Sequence, residues 1–269
     1  MRFDIAARTD LGRVRKNNED NFAVVPEVGL SVLSDGMGGE AHGEVASKLA
    51  IEAIRDHCTE WLRTPGMPLF GETLANLPER ANRLASAVRL ANRAIYESAQ
   101  KHPSQKGMGA TVVAIWLDEE QMSVAHVGDS RLYRMRQGQL EQVTQDHSLV
   151  AEQVRRGILT QQQADSSQMQ SVLIRALGID PEVEVDAEEQ TVLPGDILVL
   201  CSDGLNRMVS DPDIGSILNT SLSAQEAVER LIGLANENGG EDNVTVIVVR
   251  VGGDADGWLA RLWRWLCGE

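Results

Sequence analysis

The spacing of short apolar runs does most to limit what this chain can fold into. Strand-like runs lie at NFAVV (21–25), LSVLS (30–34), ATVVAIWL (110–117), QMSVAHV (121–127), RLYRMRQ (131–137), DILVLCS (196–202) and NVTVIVVRV (243–251). Several are joined by links as short as DEE or GDS. A parallel crossover needs a dozen residues or more, so these links predict hairpins and mainly antiparallel sheets. Between the second and third runs, Ala46, Ala50, Ala53, Ile54, His57 and Trp61 recur at helical spacing, and Leu84, Val88, Ala91 and Ile95 do the same further on. Residues 223–236 repeat the pattern with Ala227, Leu231 and Leu234. Helices on more than one side of sheet material predict an α/β sandwich.

Two stretches interrupt this pattern. Residues 64–78 hold three of the eight prolines and read as a connecting loop. Residues 144–178 read as two short helical pieces around a Gln/Ser-rich middle, an excursion between two strands rather than a separate domain. With 269 residues and a net charge of -15, the chain can bury a full core, but it lacks the clustered cations that nucleic acid or an anionic membrane requires. The three cysteines, Cys58, Cys201 and Cys267, match neither a zinc nor a disulfide pattern, which points to a reducing compartment. Residues 1–10 show no signal-peptide pattern, and no run is long enough for a membrane span. The expectation is a cytoplasmic protein.

Five of the apolar runs carry an aspartate at one end. Asp20 precedes the first, Asp35 follows the second, Asp129 follows the QMSVAHV run, Asp203 follows DILVLCS, and Asp242 precedes the last. A lone Asp at a strand end is ordinarily a turn former. Five together, with Asp-Gly twice and Glu-Asp twice, fit a second reading in which the strand ends converge on one rim. Two unit charges about 4 Å apart repel by roughly 4 kcal/mol at an effective dielectric of 20, so converging carboxylates protonate or recruit cations. An all-oxygen set selects hard ions such as Mg²⁺ or Mn²⁺. Two such ions favour hydrolysis of a phosphate ester, which needs no Ser or Cys nucleophile.

The loop SDGMGGEAHG (34–43) leaves its own chemistry open between a phosphate cradle, a metal site and a plain glycine turn. Its glycines fit a dinucleotide fingerprint only loosely, and Glu44 stands where a P-loop has Lys. If the acids converge, Gly36 can turn its carbonyl toward a metal while Asp35 bridges two ions. Arg15, five residues before Asp20, is the candidate for a substrate phosphate, because guanidinium grips phosphate oxygens in pairs; Arg13 is its competitor.

At these residues the chain resembles the metal-dependent serine/threonine protein phosphatases of type 2C, in their compact bacterial branch. The resemblance rests on an ordered set: RKNNED (15–20), SDGMGG (34–39), GATVVA (109–114), HVGDSR (126–131), TQDHS (144–148), SDGL (202–205) and EDNVT (241–245). It implies a catalytic domain over residues 1–251, built as a central antiparallel β-sandwich flanked by helix pairs, with 144–178 as its flap. It implies hydrolysis of phosphoserine and phosphothreonine in proteins by a hydroxide bridging two Mn²⁺ or Mg²⁺ ions. Asp35 would bridge the ions, Gly36 would ligate one through its carbonyl, and Asp203 and Asp242 would complete the second. Glu19 and Asp20 would hold metal-bound waters, Arg15 would receive the phosphate, and Asp129 with Asp203 would hold a third ion. Partners would be phosphorylated proteins, substrates of a bacterial serine/threonine kinase.

One position departs from the family. Met37 stands where many eukaryotic members carry a His proposed to protonate the leaving group. His42 reads as helix-start surface, and His126 and His147 read as structural. Outside the resemblance lies the tail, 252–269, with three of the five tryptophans. On a helix Trp258, Leu259, Leu262, Trp263 and Leu266 share a face, which fits packing on the protein itself or docking to a partner. Two further functions share these features: a catalytically silent phosphoprotein-binding module, and a hydrolase of small phosphate esters.

Overall fold

The computed structural model describes residues 2–38, 42–64, 66–165, 167 and 169–252. Among them the strands are β1 (Arg2–Asp10), β2 (Asp20–Val25), β3 (Leu30–Met37), β4 (Gly109–Ala110), β5 (Val112–Asp118), β6 (Gln121–Val127), β7 (Arg131–Arg136), β8 (Gln139–Gln142), β9 (Asp186–Thr191), β10 (Ile197–Cys201) and β11 (Val244–Gly252). The helices are α1 (His42–Arg63), α2 (Glu79–Lys101), α3 (Leu149–Arg155), α4 (Gln161–Asp165), α5 (Asp203–Asn206), α6 (Asp211–Thr220) and α7 (Ala224–Glu237). One sheet runs β1-β11-β10-β7-β8 and the other β2-β3-β5-β6-β9, with β4 paired to β3. The pairings within both sheets are antiparallel, as the short links require.

Alternation along the strands builds the layers. In β5, Val113, Ile115 and Leu117 face the space between the sheets, while Val112, Ala114 and Trp116 face α1 and α2. In β10, Leu198 and Leu200 point inward, while Ile197, Val199 and Cys201 meet the apolar faces of α6 and α7. The strands are apolar on both faces because both faces are covered. The result is four layers, helices on each side of a sheet pair.

Two expectations change in detail. Residues 144–178, the expected flap, do contain two short helices, but the second, α4, lies inside the Gln-rich tract, and 172–177 is irregular, with isolated bridges at Leu173 and Leu177, instead of helical. That segment pairs with neighbouring backbone: Ser148 bridges Leu173, and Leu177 bridges Ala110. Strand β1, β8 and β9 carry too few apolar residues to stand out in the sequence. The tail beyond residue 252, with its tryptophans, lies outside the described residues. No described helix is long and apolar enough to cross a membrane.

Candidate metal centre

Antiparallel pairing brings the five aspartates to one rim. Asp20 at the start of β2 is the direct register partner of Asp35 near the end of β3. Val127, ending β6, pairs with Val112, starting β5, so the turn holding Asp129 lies at that same end. In the other sheet Cys201 pairs with Val246 and Arg131, which sets Asp203, after β10, beside Asp242, before β11, and beside the β6–β7 turn. A strand that ends and a strand that begins therefore offer their acids to the same place.

The glycine after each of two acids permits that approach. A Cβ on Gly36 would lie 2.0 Å from the Gly43 carbonyl oxygen, and one on Gly204 would lie 2.0 Å from the Asn243 carbonyl oxygen. A side chain at Gly36 would push β3 away from the start of α1, and one at Gly204 would push the end of β10 away from the start of β11. The doubled Asp-Gly of the sequence is thus explained by backbone contact, beyond turn formation.

The acids themselves are held by hydroxyls and amides. Ser202 and Thr245 donate to Asp20 Oδ2 at 2.8 and 2.7 Å, yet Asp20 Oδ1 is buried with no hydrogen-bond partner in the protein. Burial, with the charges of Asp203 and Asp242, pushes the Asp20 carboxyl up to about 7. Burial and the neighbouring Asp20, Asp203, Asp129 and Asp242 hold Asp35 well above the ordinary carboxylate range. Asp203 is raised by burial against the pull of Arg207, lies within hydrogen-bonding reach of Asp35, and keeps Oδ1 unpaired. Asp129 rises to about 7 through burial and the charges of Asp203 and Asp146. Burial is the largest cause of each shift, and the neighbouring carboxylates add to it.

Glu19 lies at the margin of the cluster. Its backbone N–H donates to Asn243 Oδ1 at 2.8 Å, its carbonyl accepts from Ser47 Oγ at 2.5 Å, and its carboxyl, raised by burial, accepts from the Gly43 N–H at the start of α1. Arg15 places Nη2 2.6 Å from Asp242 Oδ2. Arg13 is tied by its backbone to the Gly240 carbonyl, and its charge acts on Asp10, away from the rim. Of the two arginines, only Arg15 stands among the acids. His42 opens α1, and Met37 packs its methyl toward Gly109.

The structure adds residues to which the sequence reading gave no role. Asn243 ties Glu19, Leu11 and Asn17 together through both ends of its amide. Thr111 receives the Asp35 N–H and gives its own N–H to the Asp35 carbonyl. Both lie inside the EDNVT and GATVVA stretches, so the signal was present as motif without a role attached. Arg207, 2.6 Å from Asp203 and 3.7 Å from Asp129, had no such signal.

The residues fit hard divalent cations. The donors are oxygens, two buried carboxylate oxygens are unpaired, and the raised carboxyls show that positive charge is in demand. A separate donor group, His126, His147 and Asp186, lies within 4.8 Å of one another at the base of the flap. There Arg175 already fills the role of the cation, 2.5 Å from Asp186.

A family model described as protein phosphatase 2C matches residues 13–239. This chain belongs to the protein phosphatase 2C family. The phosphatase is 37% identical over 245 residues to a serine/threonine phosphatase stp of Listeria welshimeri, covering 90% of this chain and 93% of that protein. Among solved structures it is similar to the serine/threonine phosphatase PstP/Ppp of Mycobacterium tuberculosis, with 39% identity, a TM-score of 0.82 and coverage of 93% of this chain and 99% of that one. A PstP catalytic domain in complex with two manganese ions matches at 38% identity and a TM-score of 0.80, with the same coverage. The expected fold, family and metal-dependent phosphatase chemistry are borne out.

Proposed function

We propose that the phosphatase hydrolyses phosphoserine and phosphothreonine in proteins at the carboxylate rim. The observation that carries this reading is the meeting of Asp20, Asp35, Asp129, Asp203 and Asp242 from two sheets, with buried oxygens left unpaired. When bound, two Mn²⁺ or Mg²⁺ ions supply Lewis acidity and lower the pKa of a nucleophilic water. Asp35, Asp203, Asp242 and the Gly36 carbonyl would hold them, and Asp129 with Asp203 would serve a third. Glu19 and Asp20 orient water from the margin; Ser202 and Thr245 keep Asp20 in a single orientation by holding Oδ2. Arg15, half exposed, exchanges Asp242 for the substrate phosphate and so delivers the ester to the rim.

The substrates are proposed to be products of a serine/threonine kinase, and the flap over 144–178 is proposed to shape their access. The tail, 252–269, is proposed as a docking segment on the strength of its tryptophan face. Phosphate release from phosphothreonine and phosphotyrosine peptides, with Mn²⁺ and with chelator, tests the reading. Mn²⁺-dependent release from phosphothreonine peptides supports it. No release in any metal would favour a silent binding module, and release from small esters alone would favour a small-molecule hydrolase.

A further inference from the structure

Arg207 stands one helical turn beyond Asp203, fixed by its backbone N–H to the Asp203 carbonyl at 3.0 Å. Its Nη2 lies 2.6 Å from Asp203 Oδ2 and 3.7 Å from Asp129 Oδ2. Asp203 therefore divides its oxygens: Oδ2 is taken by the guanidinium, and Oδ1 is buried without a partner. The Arg207 side chain is about a quarter exposed, so it has a path to solvent from between the two acids.

We propose that Arg207 is a tethered competitor for a third divalent ion on Asp129 and Asp203. The guanidinium uses the same lone pairs that such an ion needs, and its tether keeps it at an effective concentration of about millimolar or more, so a third ion must outcompete it. A third ion then binds only when Arg207 swings outward, while Asp203 Oδ1 stays available to the two-ion site. The metal-free rim is also spared part of its repulsion. This inference rests on the reading of Asp129 and Asp203 as a third-ion position.

Mn²⁺ titration by calorimetry on the full chain tests it, with Arg207→Gln, Arg207→Lys and Asp129→Asn beside the parent. Removing a charge-assisted pair predicts that Arg207→Gln tightens the weakest Mn²⁺ class by roughly tenfold to a hundredfold, with the tighter classes little changed. Arg207→Lys keeps the charge and should stay near the parent, and Asp129→Asn should erase the weak class. In EDTA, Arg207→Gln should melt below the parent, and saturating Mn²⁺ should close the gap. A weak class that depends on Asp129 but is equally weak with and without Arg207 overturns the competitor and leaves the third-ion reading standing. No weak class in either the parent or Arg207→Gln overturns both. Should Arg207→Gln fail to fold, the unmodified protein decides: the Arg207 side-chain resonance, followed by nitrogen NMR during a Mg²⁺ titration, should shift only as the weak class fills. A resonance that never moves overturns the proposal.

Discussion

At the base of the flap, Asp186 receives Arg175 at 2.5 Å and His147 at 3.2 Å; at the rim, Asp20 and Asp203 each keep a buried oxygen with no partner. The flap base satisfies its members in turn. His147 Nδ1 accepts from the Gly128 N–H at 3.1 Å, which leaves the proton on Nε2 to face Asp186. His126 stacks on His147 and gives its Nε2 proton to the Gln145 carbonyl at 2.9 Å. These hydrogen bonds, from His147 and from Arg175, pull the Asp186 carboxyl far below its usual range. At the rim the carboxyls move the other way, up to about 7 for Asp20 and Asp129. The two clusters of ionisable residues thus differ in charge balance. The balanced cluster ties both ends of 144–178 to β6 and β9; the rim keeps carboxylate oxygens that a cation would satisfy.

The sharpest way to break this comparison is to remove rim charge. Asp35→Asn and Asp203→Asn should each lower kcat/KM on a phosphothreonine peptide by about a thousandfold or more. Because each also removes a repelling charge, their melting in EDTA should be no lower than the parent's. Near-parental turnover without excess metal would sink the assignment of the rim.

The rim's titration predicts a pH dependence of the metal-free protein. Asp20 and Asp129 have an ordinary value of 3.8 and titrate near 7 when folded, so between these values the folded chain keeps protons that the unfolded chain has released. The contribution of these two groups to stability in EDTA is then fully present below about pH 4 and lost as pH rises through about 7, by on the order of a few kcal/mol in all. Denaturant melts at pH 5 and pH 8 measure this, and the stabilisation gained from Mn²⁺ should be larger at pH 8. Equal stability at both pH values would contradict the charge imbalance.

At the flap base the expectation is reversed. Asp186→Asn should cost about 1–3 kcal/mol of stability by leaving Arg175 and His147 underpaired, while Mn²⁺ affinity at the rim stays the same. If that variant instead weakened Mn²⁺ as strongly as Asp35→Asn does, the two clusters would not be separate. Arg15→Ala should raise KM for phosphopeptide by about tenfold with Mn²⁺ affinity held, and Arg13→Ala should not. The opposite outcome would place the phosphate near the 240 turn. Smallest of all, deleting 253–269 should leave hydrolysis of small phosphate esters within about twofold, since every rim residue lies upstream.

Much of this architecture is local and so was legible in the sequence. The two-residue period of a strand tells which of the side chains from Val112 to Leu117 and from Ile197 to Cys201 share a face, because a strand's geometry needs no information from elsewhere, while the layer each apolar face meets is set by the fold. Short links fixed the antiparallel sense, and the sense placed the acids at strand ends. Strand β9, DAEEQT, was not legible: its polar residues are half-buried at a sheet edge, and only pairing with β6 makes it a strand. The non-helical path of 172–177 is likewise held by the bridges of Leu173 to Ser148 and of Leu177 to Ala110, not by its own preference.

The sequence by itself determined that acids and glycines sit at the ends of apolar strands, since that is a matter of order along one chain. Only the tertiary structure decided that Asp20 faces Asp35, that Gly204 lets Asn243 approach, and that Arg207 reaches across to Asp129. It also separated Arg15, among the acids, from Arg13, which is not. The physical reason is range. Strand period and turn length act over a few residues, whereas charge imbalance exists only where groups far apart in the chain share one dry volume, and the register that brings them together is a property of the whole sheet pair.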